Sequence, residues 1–299
     1  MILYRTSHTT LYHYSDPVTL CHNEAHLLPR NLSRQRCLDA RLHIFPRPAV
    51  YHERKDFFGN RVVYFSLEEP HEALEVTALS ELQLFPLPPP DLDATPAWEE
   101  VQHLLRHDSG RGAVEARQFL LDSVFVNASG LFAEYARPSF AMGRPLLAAV
   151  HDLMRRIFTE FTYDPTFTTV ATPVSEVLEH KRGVCQDFAH FAIACVRALG
   201  LAARYVSGYL ETRPQEGQPQ LVGTAASHAW VSVYCPDLGW VDFDPTNDLM
   251  PLDRHIVVAW GRDYSDVTPL KGTIVGGGQH ALQVTVEVKR GEEPEPEFS

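Results

Sequence analysis

The sequence predicts an α+β protein, an N-terminal antiparallel β domain followed by a mixed α+β core. Three observations predict it. Up to about residue 85, short segments alternate apolar and polar side chains and are broken by turn residues. The run Phe85-Pro86-Leu87-Pro88-Pro89-Pro90 then cannot continue a sheet, because proline has no donor N–H. Beyond it, segments of helical period are interleaved with strand-like ones. At 299 residues the chain has room for about two domains. The reading is therefore a β-rich domain over 1–85, a Pro-rich linker over 86–96, a helical segment plus core over 97–290, and an acidic, disordered tail over 291–299.

In the first domain the predicted strands are Thr10–Tyr14, Leu38–Phe45, Arg61–Leu67 and Ala73–Leu84. Asp56-Phe57-Phe58-Gly59-Asn60-Arg61 leads into the third as a hairpin turn, since Gly and Asn tolerate the positive φ that tight hairpins need. After the linker, Pro96–His107 and Ala113–Leu121 read as short helices. A longer amphipathic helix carries Leu146, Leu147, Val150, Leu153, Met154, Ile157, Phe158 and Phe161 on one face. An extended stretch over Thr168–Pro173 precedes a short helix at Val174–Glu179, capped by Thr172 or Ser175.

Gly183-Val184-Cys185 opens the next helix, which turns Phe188, Phe191, Ala192, Cys195, Val196 and Leu199 inward and stops at Gly200. Strands are predicted at Ala202–Leu210, His228–Cys235 and Val241–Asp244, with a mobile Gln, Pro and Gly-rich loop over Glu211–Thr224. Ala281–Val288 alternates as a final strand.

Composition excludes several roles. With 26 basic and 38 acidic residues the net charge is −12, which disfavours nucleic acid and anionic membrane as partners. No run approaches the ~18 apolar residues of a membrane span. The first residues lack the basic and apolar regions of a signal peptide. Five cysteines, Cys21, Cys37, Cys185, Cys195 and Cys235, are an odd number with no Cys-x-x-Cys pair. A reduced, cytoplasmic setting is the expectation.

Chemistry concentrates in three stretches. Cys185 starts a helix, where free amides and the helix dipole stabilise the negative charge of a thiolate. Ser227-His228-Ala229-Trp230 opens a strand with a candidate base, His228, and Asp242-Phe243-Asp244 ends another with a candidate orienter, Asp244. The backbone N–H of Cys185 is the first candidate oxyanion donor. Taken singly, each has a plainer role: a small core cysteine, a satisfied core histidine, a turn cap beside Pro245 and Thr246. Their combination points to nucleophile, base and orienter.

Asp187, in the first helical turn, reads as a dipole cap. His190 lies some 140° around the helix from Cys185 and is a poor base. Trp230 and Trp240 read as core or cleft walls.

These stretches resemble the transglutaminase-like superfamily, specifically the bacterial proteins with a β-rich N-terminal domain. His8 to Val18 and Asp56 to Asn60 resemble that domain; Gly183–His190, Ser227–Val231 and Gly239–Asn247 resemble the catalytic core; Arg254–Tyr264, Asp266, Val267 and Pro269 also match the bacterial group. The resemblance implies a papain-like, transglutaminase-like α+β core with Cys185 as nucleophile, His228 as base and Asp244 as orienter. A tryptophan that stabilises the oxyanion in the calcium-dependent animal enzymes has no counterpart between Trp98 and Cys185, which leaves Tyr163 as a substitute.

No loop has calcium-ligand spacing, so neither metal nor cofactor is expected. The expected partner is a peptide or protein amide substrate, and the expected reaction is hydrolysis by a peptidase or amidase. Acyl transfer to an amine and a non-catalytic peptide-binding module are the alternatives.

Overall fold

The computed structural model describes residues 1–212, 220–223 and 227–291. In chain order the elements are β1 (Ile2–Ala25), β2 (Gln35–Phe45), β3 (Val50–Lys55), β4 (Arg61–Leu67), β5 (His71–Leu84), α1 (Trp98–His107), α2 (Arg111–Arg117), α3 (Gly130–Ala136), α4 (Leu146–Glu160), β6 (Thr162–Tyr163) and α5 (Val174–His180). They continue with β7 (Arg182–Gly183), α6 (Cys185–Ala198), β8 (Ala203–Leu210), β9 (His228–Cys235), β10 (Gly239–Phe243), β11 (His255–Gly261), β12 (Leu270–Gly276) and β13 (His280–Arg290). The fold is α+β, as the sequence predicts. Most of the predicted loop over 211–224, namely 213–219 and 224, and the predicted tail from 292 onward lie outside the described residues.

The N-terminal sheet is built on β1, whose 24 residues extend well past the predicted Thr10–Tyr14 strand. Along one edge run β5 and then β4, with β2 outside β5 and β3 outside β4, all antiparallel. Along the other edge run β13 and then β12, also antiparallel. A register shift between His13 and Val18 breaks the ladder to β5, the usual device by which so long a strand bends. Strands 270–276 and 280–290, expected within the 97–290 unit, thus belong to the N-terminal sheet. The alternation of 281–288 marks a strand but carries no mark of its partner, which is set by the second open edge of β1.

The second sheet has the order β10-β9-β8-β11, every pair antiparallel. Helix α6 covers one face, against Ala229, Val231, Val233 and Cys235, and α3, α4 and α5 pack around α6. Every residue from Asp187 to Arg197 is buried, so α6 is a central helix enclosed on all sides, where the sequence predicts a one-sided stripe. Each buried large side chain such as Phe191 contributes about 1.5–3 kcal/mol. Its polar members are all partnered. Arg197 donates to the carbonyls of Leu121, Ala203 and Arg262.

Two side-chain amides of the N-terminal domain grip β11. Gln35 exchanges two hydrogen bonds with the backbone of Val257, at 2.7 and 2.8 Å. Asn60 does the same with Trp260, at 2.9 and 3.0 Å. β11 is the outer strand of its sheet and has a register shift between Val257 and Ala259, so these amides satisfy backbone groups that no neighbouring strand reaches. The Asp56–Asn60 turn is a joint between domains: its Asp56 carboxylate accepts from the backbone and side chain of Asn60 and holds that amide in place.

Candidate active site

The cysteine turn is set by a close approach. Asp187 Oδ2 accepts from the Val184 N–H at 2.8 Å and from the Thr168 hydroxyl at 2.7 Å, closing the first turn of α6. A Cβ on Gly183 would stand 2.7 Å from that carboxylate oxygen, so glycine is required there. The capping role predicted for Asp187 is the observed one. Burial raises its pKa, while the Val184 and Thr168 hydrogen bonds oppose the rise. α5, by contrast, starts after Pro173 without a side-chain cap; the Thr172 hydroxyl accepts from the Thr169 N–H instead.

Cys185 is the first residue of α6 and is 8% exposed. His228, the first residue of β9, and Asp244, just past β10, are buried, and His228 Nε2 donates to Asp244 Oδ2 at 2.8 Å. Among the described residues, the other ring nitrogen, Nδ1, has no hydrogen-bond partner of ordinary length. Burial disfavours the charged imidazolium, but the Asp244 carboxylate and then the Cys185 sulfur outweigh it and push the His228 pKa up to about 10. Burial likewise works against the Asp244 carboxylate, yet His228 and His255 hold it well below the usual carboxylate range. The three predicted residues are thus brought into one electrostatic cluster.

Two further residues complete it. His255, at the start of β11, donates from Nε2 to the same Asp244 Oδ2 at 3.0 Å; its own pKa is lowered by burial, against the pull of Asp244. Asn247 donates to Asp244 Oδ2 at 2.8 Å, and its amide also exchanges hydrogen bonds with the backbone of Val222. That pins Val222 and its neighbour Gly223, which adopts φ +90° and on which a Cβ would stand 2.6 Å from His228 Nδ1.

In the sequence His255 stands out only as part of the stretch Arg254–Tyr264. The visible signal was a histidine opening an apolar run, and its role depends on the β8–β11 pairing. Among the described residues, His228, Asp244 and His255 are a group whose ligand atoms converge, within 4.8 Å, as a metal site requires. With both Nε2 atoms at hydrogen-bond distance from one carboxylate oxygen, the geometry is that of a shared acceptor.

The surroundings support the cysteine. Tyr163 on β6 lies beside Gly183, and burial first, then the nearby Cys185 sulfur and Asp187, push its pKa up to about 12, so its O–H is a retained donor. Trp230 is fully buried and lies against both histidines, with ring centroids 6.1 Å from His228 and 5.2 Å from His255: a core wall of the site. His190 accepts from the Tyr264 N–H and stacks on Phe125; burial lowers its pKa to about 4, and it is a neutral structural residue. Burial raises the thiol pKa of Cys21, Cys37, Cys195 and Cys235. A cavity of about 440 Å³ between residues 124–132 and 171–175 includes none of Cys185, His228 or Asp244 in its walls, so the site is defined by its polar cluster, not by cavity size.

A two-domain chain with a β-rich front and a cysteine at the head of a buried helix, facing a histidine and an aspartate on a sheet, is of the transglutaminase-like class. Residues 4–83 match the bacterial transglutaminase-like N-terminal region, and residues 133–245 match the transglutaminase-like superfamily core. The chain belongs to this family. An uncharacterised protein of Mycobacterium tuberculosis is 44% identical over 293 residues, covering 95% of this chain and 92% of its own. Another, of Mycobacterium leprae, is 34% identical over 289 residues, covering 96% and 98%.

A protein-glutamine gamma-glutamyltransferase of Pseudomonas aeruginosa is 30% identical over 121 residues, 40% of this chain and 18% of that protein. The crystal structure of a Cytophaga hutchinsonii protein, provisionally called a cysteine protease, shares the fold with a TM-score of 0.76 at 20% identity, covering 98% of this chain and 92% of that one. No helix among the described residues is long and apolar enough to cross a membrane.

Proposed function

We propose that the chain is a cysteine hydrolase of amide bonds, with Cys185 as nucleophile, His228 as general base and acid, and Asp244 as orienter. The observation that carries the reading is the His228 imidazole, fixed by Asp244 through Nε2 and influenced by the Cys185 sulfur, with Nδ1 unpartnered among the described residues and so the proposed proton acceptor for the thiol. The thiolate attacks the carbonyl carbon, forming a C–S bond; the C–N bond breaks, and the leaving amine takes its proton from His228. Water then attacks the thioester, giving one proton to His228; the C–S bond breaks, the carboxylic acid leaves, and the thiolate–imidazolium pair is restored. The Cys185 N–H and the Tyr163 O–H are the proposed oxyanion donors. The substrate is a peptide or protein amide, and the five unpaired thiols favour a reducing, cytoplasmic setting.

The test is iodoacetamide labelling of the native protein across pH 5–9 with peptide mapping. Selective, fast labelling of Cys185 that slows at least tenfold in His228→Ala is expected; equal, slow labelling in both proteins would favour the binding module. Acyl transfer to an amine is the second reading, favoured by the similarity to the Pseudomonas aeruginosa transferase. A glutamine peptide offered with a fluorescent amine separates them. Carboxylate product without amine incorporation supports hydrolysis, and incorporation overturns it.

A further inference from the structure

On the face of the four-stranded sheet away from α6, Arg204, Ser232 and Asp242 stand side by side, Ser232 being the register partner of both others. Arg204 is 7% exposed, and its guanidinium lies between two indoles, 3.7 Å from the Trp260 centroid and 4.3 Å from that of Trp240. Among the described residues its Nε nevertheless has no hydrogen-bond partner, and neither has the buried Ser232 hydroxyl. Arg204 and Asp242 line a cavity of about 220 Å³ whose opposite wall, Leu32 to Arg34, comes from the N-terminal domain. Arg34 pairs with Asp242. Within the cavity walls two guanidinium groups therefore face one carboxylate, and a third, Arg30, stacks on the same Trp260 ring with Asp56 as its nearby acid.

A second cavity, of about 420 Å³, adjoins the first, sharing Arg34, Leu238, Trp240 and Asp242. The rest of its wall is largely apolar and includes Leu87 from the proline-rich linker, Met250 and Leu252.

We propose that this junction binds a monocarboxylate with an apolar tail, the carboxylate accepting hydrogen bonds from Arg204 and the tail lying in the second cavity. A guanidinium stripped of water needs an anionic partner, and its planar fork matches a carboxylate. The excess of guanidinium over carboxylate in the walls favours an anionic ligand. Apolar cavities with a few convergent polar groups at domain junctions are the usual form of small-molecule sites. Neither cavity has Cys185, His228 or Asp244 in its walls, and the proposal does not rest on the reaction proposed above.

The experiment is calorimetric titration of the full chain with octanoate, octanamide and acetate, with tryptophan fluorescence as a second readout. Octanoate should bind at least tenfold more tightly than either of the others: octanamide lacks the charge and acetate lacks the tail. Arg204→Met should abolish the preference for octanoate over octanamide. Leu87→Glu, at a linker residue 62% exposed and so compatible with folding, should weaken octanoate at least tenfold through charge repulsion. Octanoate binding no tighter than octanamide, or unchanged in Leu87→Glu, overturns the proposal whether or not Arg204→Met folds.

Discussion

Asp244 holds more than one histidine. Its Oδ2 accepts from His228, His255 and Asn247, and its Oδ1 accepts from the Thr246 N–H, so among the described residues a buried carboxylate stays ionised without any lysine or arginine bonded to it. His255 acts through Asp244 and is a positioning residue. His255→Phe keeps the ring packing on Trp230 and loses one hydrogen bond, which should slow Cys185 alkylation about tenfold and raise the pH of its acid limb, as the Asp244 pKa climbs. The Cys185 sulfur is one cause of the raised His228 pKa, so Cys185→Ser should lower it from about 10, as read by imidazole NMR. Because that pKa lies above the unfolded value, the stabilisation is complete below pH ~6.5 and fades as pH rises toward 10. Cys185, His228 and Asp244 were legible because each sits in a short stretch whose neighbours announce it: a glycine before a helix, an apolar run after a histidine, an aspartate before proline. His255 and Asn247 were not, since their partners are fixed by strand pairing and by the fold of the segment at Val222.

At the scale of elements, β11 is held from outside its own sheet. The Gln35 and Asn60 amides each satisfy one N–H and one carbonyl of its backbone, and β11 begins at His255. Gln35→Leu or Asn60→Leu should each cost about 2–4 kcal/mol in urea unfolding, because two backbone groups lose their partners. Both should also slow Cys185 alkylation, since β11 aims His255 at Asp244. The hairpin turn that the sequence predicts at Asp56–Arg61 joins β3 and β4. Its second task was hidden, because an asparagine side chain bonded to a strand 200 residues away leaves no local pattern. The amphipathic stripe of α6 was legible, yet its polar face also proved buried, because Arg197 and His190 find carbonyl and amide partners in distant loops.

At the scale of the whole molecule, the two sheets meet through a histidine. His8 on β1 lies against Tyr209 on β8, with ring centroids 5.6 Å apart, and burial lowers its pKa to about 4. A histidine kept neutral by folding loses stability as pH falls below ~6.5, here by about 3 kcal/mol in total by pH 4. The fall in melting temperature between pH 7 and pH 5 should be smaller in His8→Gln. The order of β strands, helices and β strands was readable from period and proline; which strands share a sheet was not. The return of β12 and β13 to β1 has a consequence for biosynthesis. On the ribosome, β1 emerges first, but one of its two edges has to wait for residues 270–290. The front sheet therefore stays incomplete until the intervening core has been made, a high contact order that slows folding and leaves an open strand edge on any prematurely released chain. Joining residue 291 to residue 1 and opening the chain in the 86–96 linker should relieve that wait: Gly291 already donates to the Leu3 carbonyl at 2.9 Å, so the permuted chain would present the strands of one sheet in an unbroken series.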